Sequence, residues 1–503
     1  MKPFKITLRI LLLFCFSAMS TSICHSGTNY QFLVDGIGYL VNPDSTTVSV
    51  ANYYDSDILF FDGGIYSELE EISIPDSVEF NGKIYTVTRI DEDAFKRCEK
   101  LRKVTLPNSI KVLGYYSFMF CNSLEYINLP EGLEEIGAQA FAECNFSELV
   151  IPSTLKRIYY SAIGNIGLTK LTWNAVNCSS ANGNYSKSFI WADFLEEVII
   201  GDGVEIIPYG LCNGAKITNI TIPESVKYIE DYAFANTVNL QSIIIPESVQ
   251  HLGIGVFSGT SNLQSVQIPN SLTAISNRAF ENSGITSIVL PESVERIGDY
   301  AFSGSALKEF KLPESLTYIG ANAFYNCTDL TTVEWNNSLR HIGGSAFQDC
   351  VNMTSPIVFP EGFQCVQTAA FARCAKVPML KSYIMNPQDI STDSIKTVNI
   401  GNNKGILSIP YGTRAKYNSV TTESGNYKVW GRFATIVERL TSNGITGNVN
   451  GDDTVDGSDA NVLINYLLGD EGLVDEDLAG DLNGDGSTDG SDLNALINKL
   501  LGE

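Results

Sequence analysis

Between residues 58 and 433 the apolar positions of this chain return in one fixed pattern. Leu240-Gln241-Ser242-Ile243-Ile244-Ile245-Pro246-Glu247-Ser248-Val249 lines up with Leu263-Gln264-Ser265-Val266-Gln267-Ile268-Pro269-Asn270-Ser271-Leu272. The register recurs at Pro291 and Pro313, and earlier at Pro107, Pro130 and Pro152, at intervals of 22 or 23 residues. The second half of each unit carries Ile-Gly and then Ala-Phe, as in Ile297-Gly298-Asp299-Tyr300-Ala301-Phe302. Further Ala-Phe pairs stand at residues 94–95, 140–141, 233–234, 279–280, 323–324, 346–347 and 370–371. A unit this short cannot bury its apolar face alone, so neighbours must stack.

Each segment of the unit has a physical reading. The Leu-x-x-Ile/Val-x-Ile/Leu stretch predicts a short strand with inward apolar residues, ended by a Pro that cannot donate a ladder hydrogen bond. The Ile-Gly turn and the Ala-Phe pair bring the chain back, with Phe over Phe from coil to coil. The fold class expected is a repeat solenoid of short parallel strands and turns, β-rich, with a small α-helical module after it. About fifteen coils at about 4.8 Å each predict a body on the order of 70 Å long.

The ends and the interruption are legible too. Alternation from Tyr30 to Tyr39 predicts a hairpin turning at Asp35-Gly36, a cap over the first coil. Ile409-Pro410 through Trp430 and Phe433 reads as the closing segment. Between Trp173 and Phe194 the period breaks into a polar stretch, expected to be a surface loop inserted between coils. Outward strand positions are mostly polar and small: Gln241, Ser242, Gln264, Ser265, Gln267, Thr286, Ser287, Thr331, Thr332 and Glu334. A parallel ladder exposes them as one continuous face, the kind of surface on which solenoids bind.

Cys98, Cys121, Cys144, Cys327, Cys350 and Cys374 each fall three residues after a Phe, where other coils hold Thr237, Thr260, Ser283 and Ser305. A position shared by Cys, Thr and Ser asks for a small core side chain, so buried thiols are expected, although stacked neighbours would be close enough to bridge.

The unit Leu-x-x-Ile-x-Ile-Pro-x-Ser-Val-x-x-Ile-Gly-x-x-Ala-Phe-x-x-Cys resembles that of the BspA-like leucine-rich-repeat proteins of bacterial surfaces, over about residues 58 to 433. The resemblance implies attachment or protein binding, without naming a ligand.

The sharpest local motif is C-terminal. Asp481, Asn483, Asp485, Ser487, Asp489 and Asp492 occupy positions 1, 3, 5, 7, 9 and 12 of a loop whose sixth residue is Gly486. Hard oxygen donors at that spacing, with Gly at the sharp turn, are calcium-loop chemistry. An apolar helical face follows in Leu493, Leu496, Ile497, Leu500 and Leu501. Thirty-three residues earlier Asn448, Asn450, Asp452, Thr454, Asp456 and Asp459 repeat the loop, with a helix around Leu463 to Leu468 after it. Two such loop-helix units resemble a duplicated type I dockerin, which implies a cohesin-type partner. The resemblance assigns partner contact to positions 10 and 11, here Gly457-Ser458 and Gly490-Ser491. Asp453 replaces the usual Gly of the earlier loop, at a cost of about 1 kcal/mol where φ is positive. Asn448 also leaves that loop three ligand carboxylates against four, so two Ca2+ sites are expected, the second tighter.

Charge sharpens the division. Of a net −24, residues 443–503 carry fourteen acids against Lys499 alone. Such a cluster suits cations and makes nucleic acid a poor partner. At the other end, Lys2, Lys5 and Arg9, the apolar run Ile10–Phe16 and the small residues near Ala18 form a secretory signal, with cleavage near Thr21. A lipidated Cys24 is the lesser reading, because Ile23 is bulky. No apolar run is long enough for a transmembrane anchor. The expected plan is a signal peptide at 1–22, a cap hairpin at 23–57, a solenoid with its closing cap at 58–440, a linker at 441–447 and a dockerin at 448–503.

No interruption holds a catalytic domain, and His25, His251 and His341 are the only histidines. Neither a metal-hydrolase cluster nor a Ser-His-Asp arrangement has a source. The chain is therefore expected to be a non-catalytic scaffold, secreted or on the cell surface, binding a protein or glycan through the repeat face and a cohesin through the dockerin. The alternatives are an accessory or catalytic subunit of a polysaccharide-degrading, cellulosome-like complex, or a rigid spacer.

Overall fold

The computed structural model describes residues 30–51, 64–164, 167–180, 189–190, 193–387, 405–410, 412–420, 430, 433, 435–439, 494–495 and 497–498. The chain divides into two compact units, residues 1–253 and 254–503.

In the first unit the expected hairpin pairs Phe32–Val34 with Ile37–Val41, turning at Asp35 (φ 50°) and Gly36 (φ 79°). Two positive φ values in succession are the turn that suits strand twist, and Asp-Gly supplies them. Thr47–Ala51 then pairs antiparallel with Ile37–Val41 and parallel with Lys83–Ile90, so the cap feeds directly into the repeats. A second hairpin joins Ser77–Phe80 to Lys83–Ile90 through Asn81-Gly82, and Phe80 stacks on Phe32 at 4.1 Å.

Beyond the cap each coil contributes to two parallel ladders. A wide ladder includes Glu148–Ile151, Lys170–Trp173 and Glu197–Ile200 in register. A narrow ladder runs through Val112–Leu113, Glu135–Ile136, Arg157–Ile158 and Ser179–Ser180, and again through Ile206–Ile207, Tyr228–Ile229 and His251–Leu252. The Ile-Gly step follows the narrow ladder because coils meet backbone to backbone there. A Cβ on Gly137 would stand 2.6 Å from the carbonyl carbon of Gly114, so glycine removes a direct clash.

After that step the Ala-Phe turn returns the chain with two left-handed residues four apart, such as Gln139 (φ 55°) and Glu143 (φ 60°). Between them Phe141 N–H donates to Ala162 O of the next coil at 2.9 Å. Phe95, Phe118 and Phe141 form a buried stack at 5.2 and 5.6 Å.

The polar stretch after Trp173 departs from expectation. It is not a loop between coils. Ser179–Ser180 pairs with Arg157–Ile158, Cys178, Phe189 and Ile190 are buried, and Ile190 bridges Ile163 in parallel. The described residues of this stretch lie in register with the neighbouring coils, and residues 181–188 and 191–192 lie outside the described residues. Through this coil the register of the Phe stack is held by Ile163, Ile190 and then Cys212, whose N–H donates to Ala233 O as Phe118 does to Ala140 O. Trp173, fully buried and 5.5 Å from Phe189, supplies the missing volume from the opposite ladder.

The second unit repeats the design. Its narrow ladder joins Ala274–Ile275, Arg296–Ile297, Tyr318–Ile319, His341–Ile342 and Cys365–Val366. Phe257, Phe280, Phe302, Phe324, Phe347 and Phe371 stack at spacings from 4.8 to 5.5 Å. Ile357–Phe359, Met379–Ser382, Ile406–Pro410 and Thr435–Arg439 close the wide ladder. A short helix, Arg414–Ser419, covers that end. Its Tyr417 is buried against Trp430 at 5.0 Å and donates to Ile384 O at 2.8 Å.

None of the nine described cysteines forms a disulfide. The register shared by Cys, Thr and Ser is buried, as the sequence indicates, and it is also polar. Cys121 Sγ–H donates to Phe95 O at 3.0 Å, Cys350 to Phe324 O at 3.2 Å, and Thr237 Oγ1 to Cys212 O at 3.0 Å. These three side chains satisfy carbonyls of the preceding coil's turn, whereas Thr260 donates to Phe257 O of its own turn.

Candidate functional site

The wide ladder presents its outward positions as the alternation requires: Ser242, Gln264, Ser265, Gln267, Ser287, Thr331, Thr332 and Glu334 are exposed. The face is less uniformly polar than its sequence suggests. In the column between the two inward residues of each strand, Val150, Ile199, Ile244 and Val289 are 56%, 41%, 67% and 85% exposed. In the first unit the column reads Val150, Thr172 and Ile199 on successive rungs, so β-branched side chains lie side by side. The signal for this column was the same alternation that marked Gln267 and Glu334 as outward.

Charges on the faces of the first unit are paired from coil to coil. Lys156 meets Glu134 at 2.8 Å, Lys227 meets Glu205 at 2.7 Å, Lys170 meets Glu197 at 3.1 Å, and Arg157 pairs with Glu135. The hydrogen bond from Lys156 holds the Glu134 carboxyl below the usual range, and that from Lys227 does the same for Glu205. In this unit such pairs link neighbouring coils across the stack.

Burial sets the thiols apart from any reactive role. Desolvation pushes Cys98, Cys178 and Cys374 up to about 12 and Cys327 to about 11, so none is a thiolate near neutrality. Among the described residues no group of three or more His, Cys, Asp or Glu is placed to hold a metal ion. No described helix is long and apolar enough to cross a membrane.

The calcium-loop residues, Asn448, Asn450, Asp452, Thr454, Asp456 and Asp459 with Asp481, Asn483, Asp485, Ser487, Asp489 and Asp492, lie outside the described residues. So do Gly457, Ser458, Gly490 and Ser491. Asn494–Ala495 and Ile497–Asn498, just after the later loop, are helical.

Residues 66–169, 184–308 and 273–397 match the BspA type leucine rich repeat region, in six copies. The chain belongs to the BspA-type leucine-rich-repeat family. Residues 446–501 of this BspA-type chain match the Dockerin type I domain, a calcium-binding module. Its repeats are similar to a leucine-rich repeat protein of Bacteroides ovatus, at 21% identity over 78% of this chain and 99% of that one, with a TM-score of 0.41. A leucine rich cell surface protein of Faecalibacterium prausnitzii is 21% identical over 84% and 98%, with a TM-score of 0.40. The pneumococcal vaccine antigen PcpA is 19% identical over 80% and 97%, with a TM-score of 0.41. No curated protein matches the chain. Neither matched module is a catalytic domain.

Proposed function

We propose that this chain is an exported recognition scaffold, whose repeat solenoid presents a binding face and whose dockerin attaches it to a cohesin-bearing partner through calcium. The observation that carries the reading is the joining, in one chain, of BspA-type repeats to a type I dockerin at residues 446–501. Export rests on the N-terminal signal pattern of residues 1–22. The division at 441–447 rests on the short segment between the closing cap and the first loop.

The dockerin's oxygen ligands recur in two loops, so two calcium ions are assigned: one to Asn448, Asn450, Asp452, Thr454, Asp456 and Asp459, the other to Asp481, Asn483, Asp485, Ser487, Asp489 and Asp492. The later loop, with four carboxylates and Gly486, binds more tightly. Gly457-Ser458 and Gly490-Ser491 meet the cohesin. On the solenoid, the wide ladder supports partner binding, because the row Val150, Thr172 and Ile199 offers outward β-branched side chains bordered by polar positions. A place in a polysaccharide-degrading complex is the second reading, favoured by the dockerin itself, with this chain as its targeting subunit.

Calcium titration of the chelator-treated full chain tests the attachment half. Two sites of unequal affinity, and capture on an immobilised cohesin that chelator reverses, are expected. Asp489→Ala should abolish the tighter site and Asp456→Ala the weaker one. Capture that persists in chelator would overturn the calcium-dependent assignment.

A further inference from the structure

The narrow ladder of residues 254–503 carries a feature that neither the wide face nor the dockerin uses. Register pairs set Arg296 beside Tyr318, Tyr318 beside His341, and His341 beside Cys365. The Arg296 guanidinium lies 4.0 Å from the centroid of the Tyr318 ring, and the His341 ring stands 6.1 Å away on the following rung. Tyr318 is thereby flanked on both sides. Arg340, next to His341, donates to Asn337 O at 3.2 Å and Leu339 O at 3.1 Å. Its guanidinium occupies the space that a side chain at residue 362 would take: a Cβ on Gly362 would stand 2.7 Å from Arg340 Cζ.

Neither Arg296 nor Arg340 has a carboxylate partner among the described residues. The ion pairs among the described residues of this unit are Arg278–Glu281, Lys311–Glu334 and Arg373–Asp349. None involves Arg296, Arg340 or His341, and the adjacent acid, Glu295, is not paired with them. In the first unit the equivalent ladder pairs Lys156 and Arg157 with Glu134 and Glu135 one coil away. In a chain of net charge −24, unpaired cations gathered on one face do not arise from a shortage of acids.

A guanidinium stacked on a ring is held in orientation while its N–H edge stays free to form paired hydrogen bonds to a carboxylate. The column bordering the row runs Glu295, Thr317, Arg340 and Gln364, so hydroxyl and amide groups flank Arg340 and the one acid stands beside Arg296. The exposed large apolar residues of this unit's solenoid, Ile254, Val289 and Val351, lie off it. A protein partner normally needs an apolar or aromatic anchor in a desolvated pocket, whereas a polyhydroxylated acid needs only charge and hydrogen bonds. We propose that Arg296, Arg340 and His341 form a binding site for the carboxylates of an acidic, uronate-bearing glycan. Arg296 and His341 are two rungs apart, about 10 Å by strand spacing, so they engage different carboxylates on one chain. An oligomer therefore binds more tightly than its monomer.

Calorimetry on the full-length protein at low ionic strength, with short sodium oligogalacturonates, tests the site. Neutral galactose oligomers, galacturonate monomer and a polyglutamate peptide are the comparison probes. Binding of the oligogalacturonates is expected, with affinity falling about tenfold or more in Arg296→Gln/His341→Gln. Gly362→Ala, which displaces Arg340 at unchanged charge, should weaken binding as well. The first variant changes outward side chains only, and a thermal melt matching the parent's confirms that the fold is intact. Equal affinity for the neutral oligomers, indifference to both variants, tighter binding of polyglutamate, or no binding at all would each overturn the site. Cohesin capture on the same preparation reads the attachment function separately, so either can fail alone.

Discussion

At the scale of single residues, the position three after each spine Phe explains why Cys, Thr and Ser alternate there. Size is half of the requirement. The other half is a side-chain proton directed at a carbonyl of the preceding coil, as in Cys121 to Phe95 O. Cys121→Ala removes the donor and leaves a small cavity, for an expected loss of about 1–3 kcal/mol in urea unfolding, whereas Cys121→Ser should lose less. Ser283 is the informative contrast, since its buried hydroxyl has no partner among the described residues. Ser283→Ala should be neutral or stabilising by up to about 1 kcal/mol. The same column makes the fold sensitive to alkali. A thiol whose folded value stands above its unfolded one keeps its proton in the fold and releases it on unfolding. Stability is therefore full below the ordinary thiol value of 9 and declines as pH rises through about 11 to 12, the values at Cys327, Cys98 and Cys374. Urea midpoints measured at neutral pH and above pH 9 check this, with Cys→Ser variants flattening the decline. The sequence reading recognised small size and missed the shared proton, although Cys, Thr and Ser are the small residues that carry one. Ala215, in the same register, is the exception that hid it.

At the scale of elements, the stack of Phe rings is the component most plainly written in the chain, because Ala-Phe recurs contiguously and needs only the period to be superposed. Phe302 touches Phe280, Phe310 and Phe324. Phe302→Ala should cost about 3–5 kcal/mol, measured by chemical unfolding, since the stacked neighbours cannot collapse into the gap without shifting whole coils. Less legible were the elements that depend on relations between coils. Ser179–Ser180 keeps its place in the narrow ladder although its sequence is polar, because the backbone pairing with Arg157–Ile158 does not require apolar side chains. The hairpin at Asn81-Gly82 carried a strong turn dipeptide, but it lies inside the first coil, where the repeat pattern directs attention elsewhere. The row Arg296, Tyr318, His341 is scattered at intervals of 22 and 23 residues and becomes a neighbourhood only when coils are stacked. The dockerin loops are the opposite case: their proposed ligands fall within two short segments, 448–459 and 481–492, so the spacing that suggests calcium can be read directly along the chain.

At the scale of the whole molecule, the chain separates work between a body rich in paired charges and a short acidic module that concentrates over half of the excess charge. On the proposed reading calcium would neutralise part of that charge as the module folds, which would make attachment depend on metal supply. The N-terminal cap has a further consequence. Every coil offers both hydrogen-bond donors and acceptors to each of its neighbours, and the strand Thr47–Ala51 occupies the first of these open edges beside Lys83–Ile90. Deletion of residues 30–90 would strip Val112–Leu113 of its partner Arg89–Ile90 and Phe95 of its neighbour Tyr66, leaving the first remaining coil with an unpaired edge. Because the helix Arg414–Ser419 covers the other end, such a truncated chain should associate through this single edge into a closed dimer, seen as a doubled mass in light scattering, while the capped chain does not. The first strands would thus act as a guard on an edge that otherwise accepts a second copy.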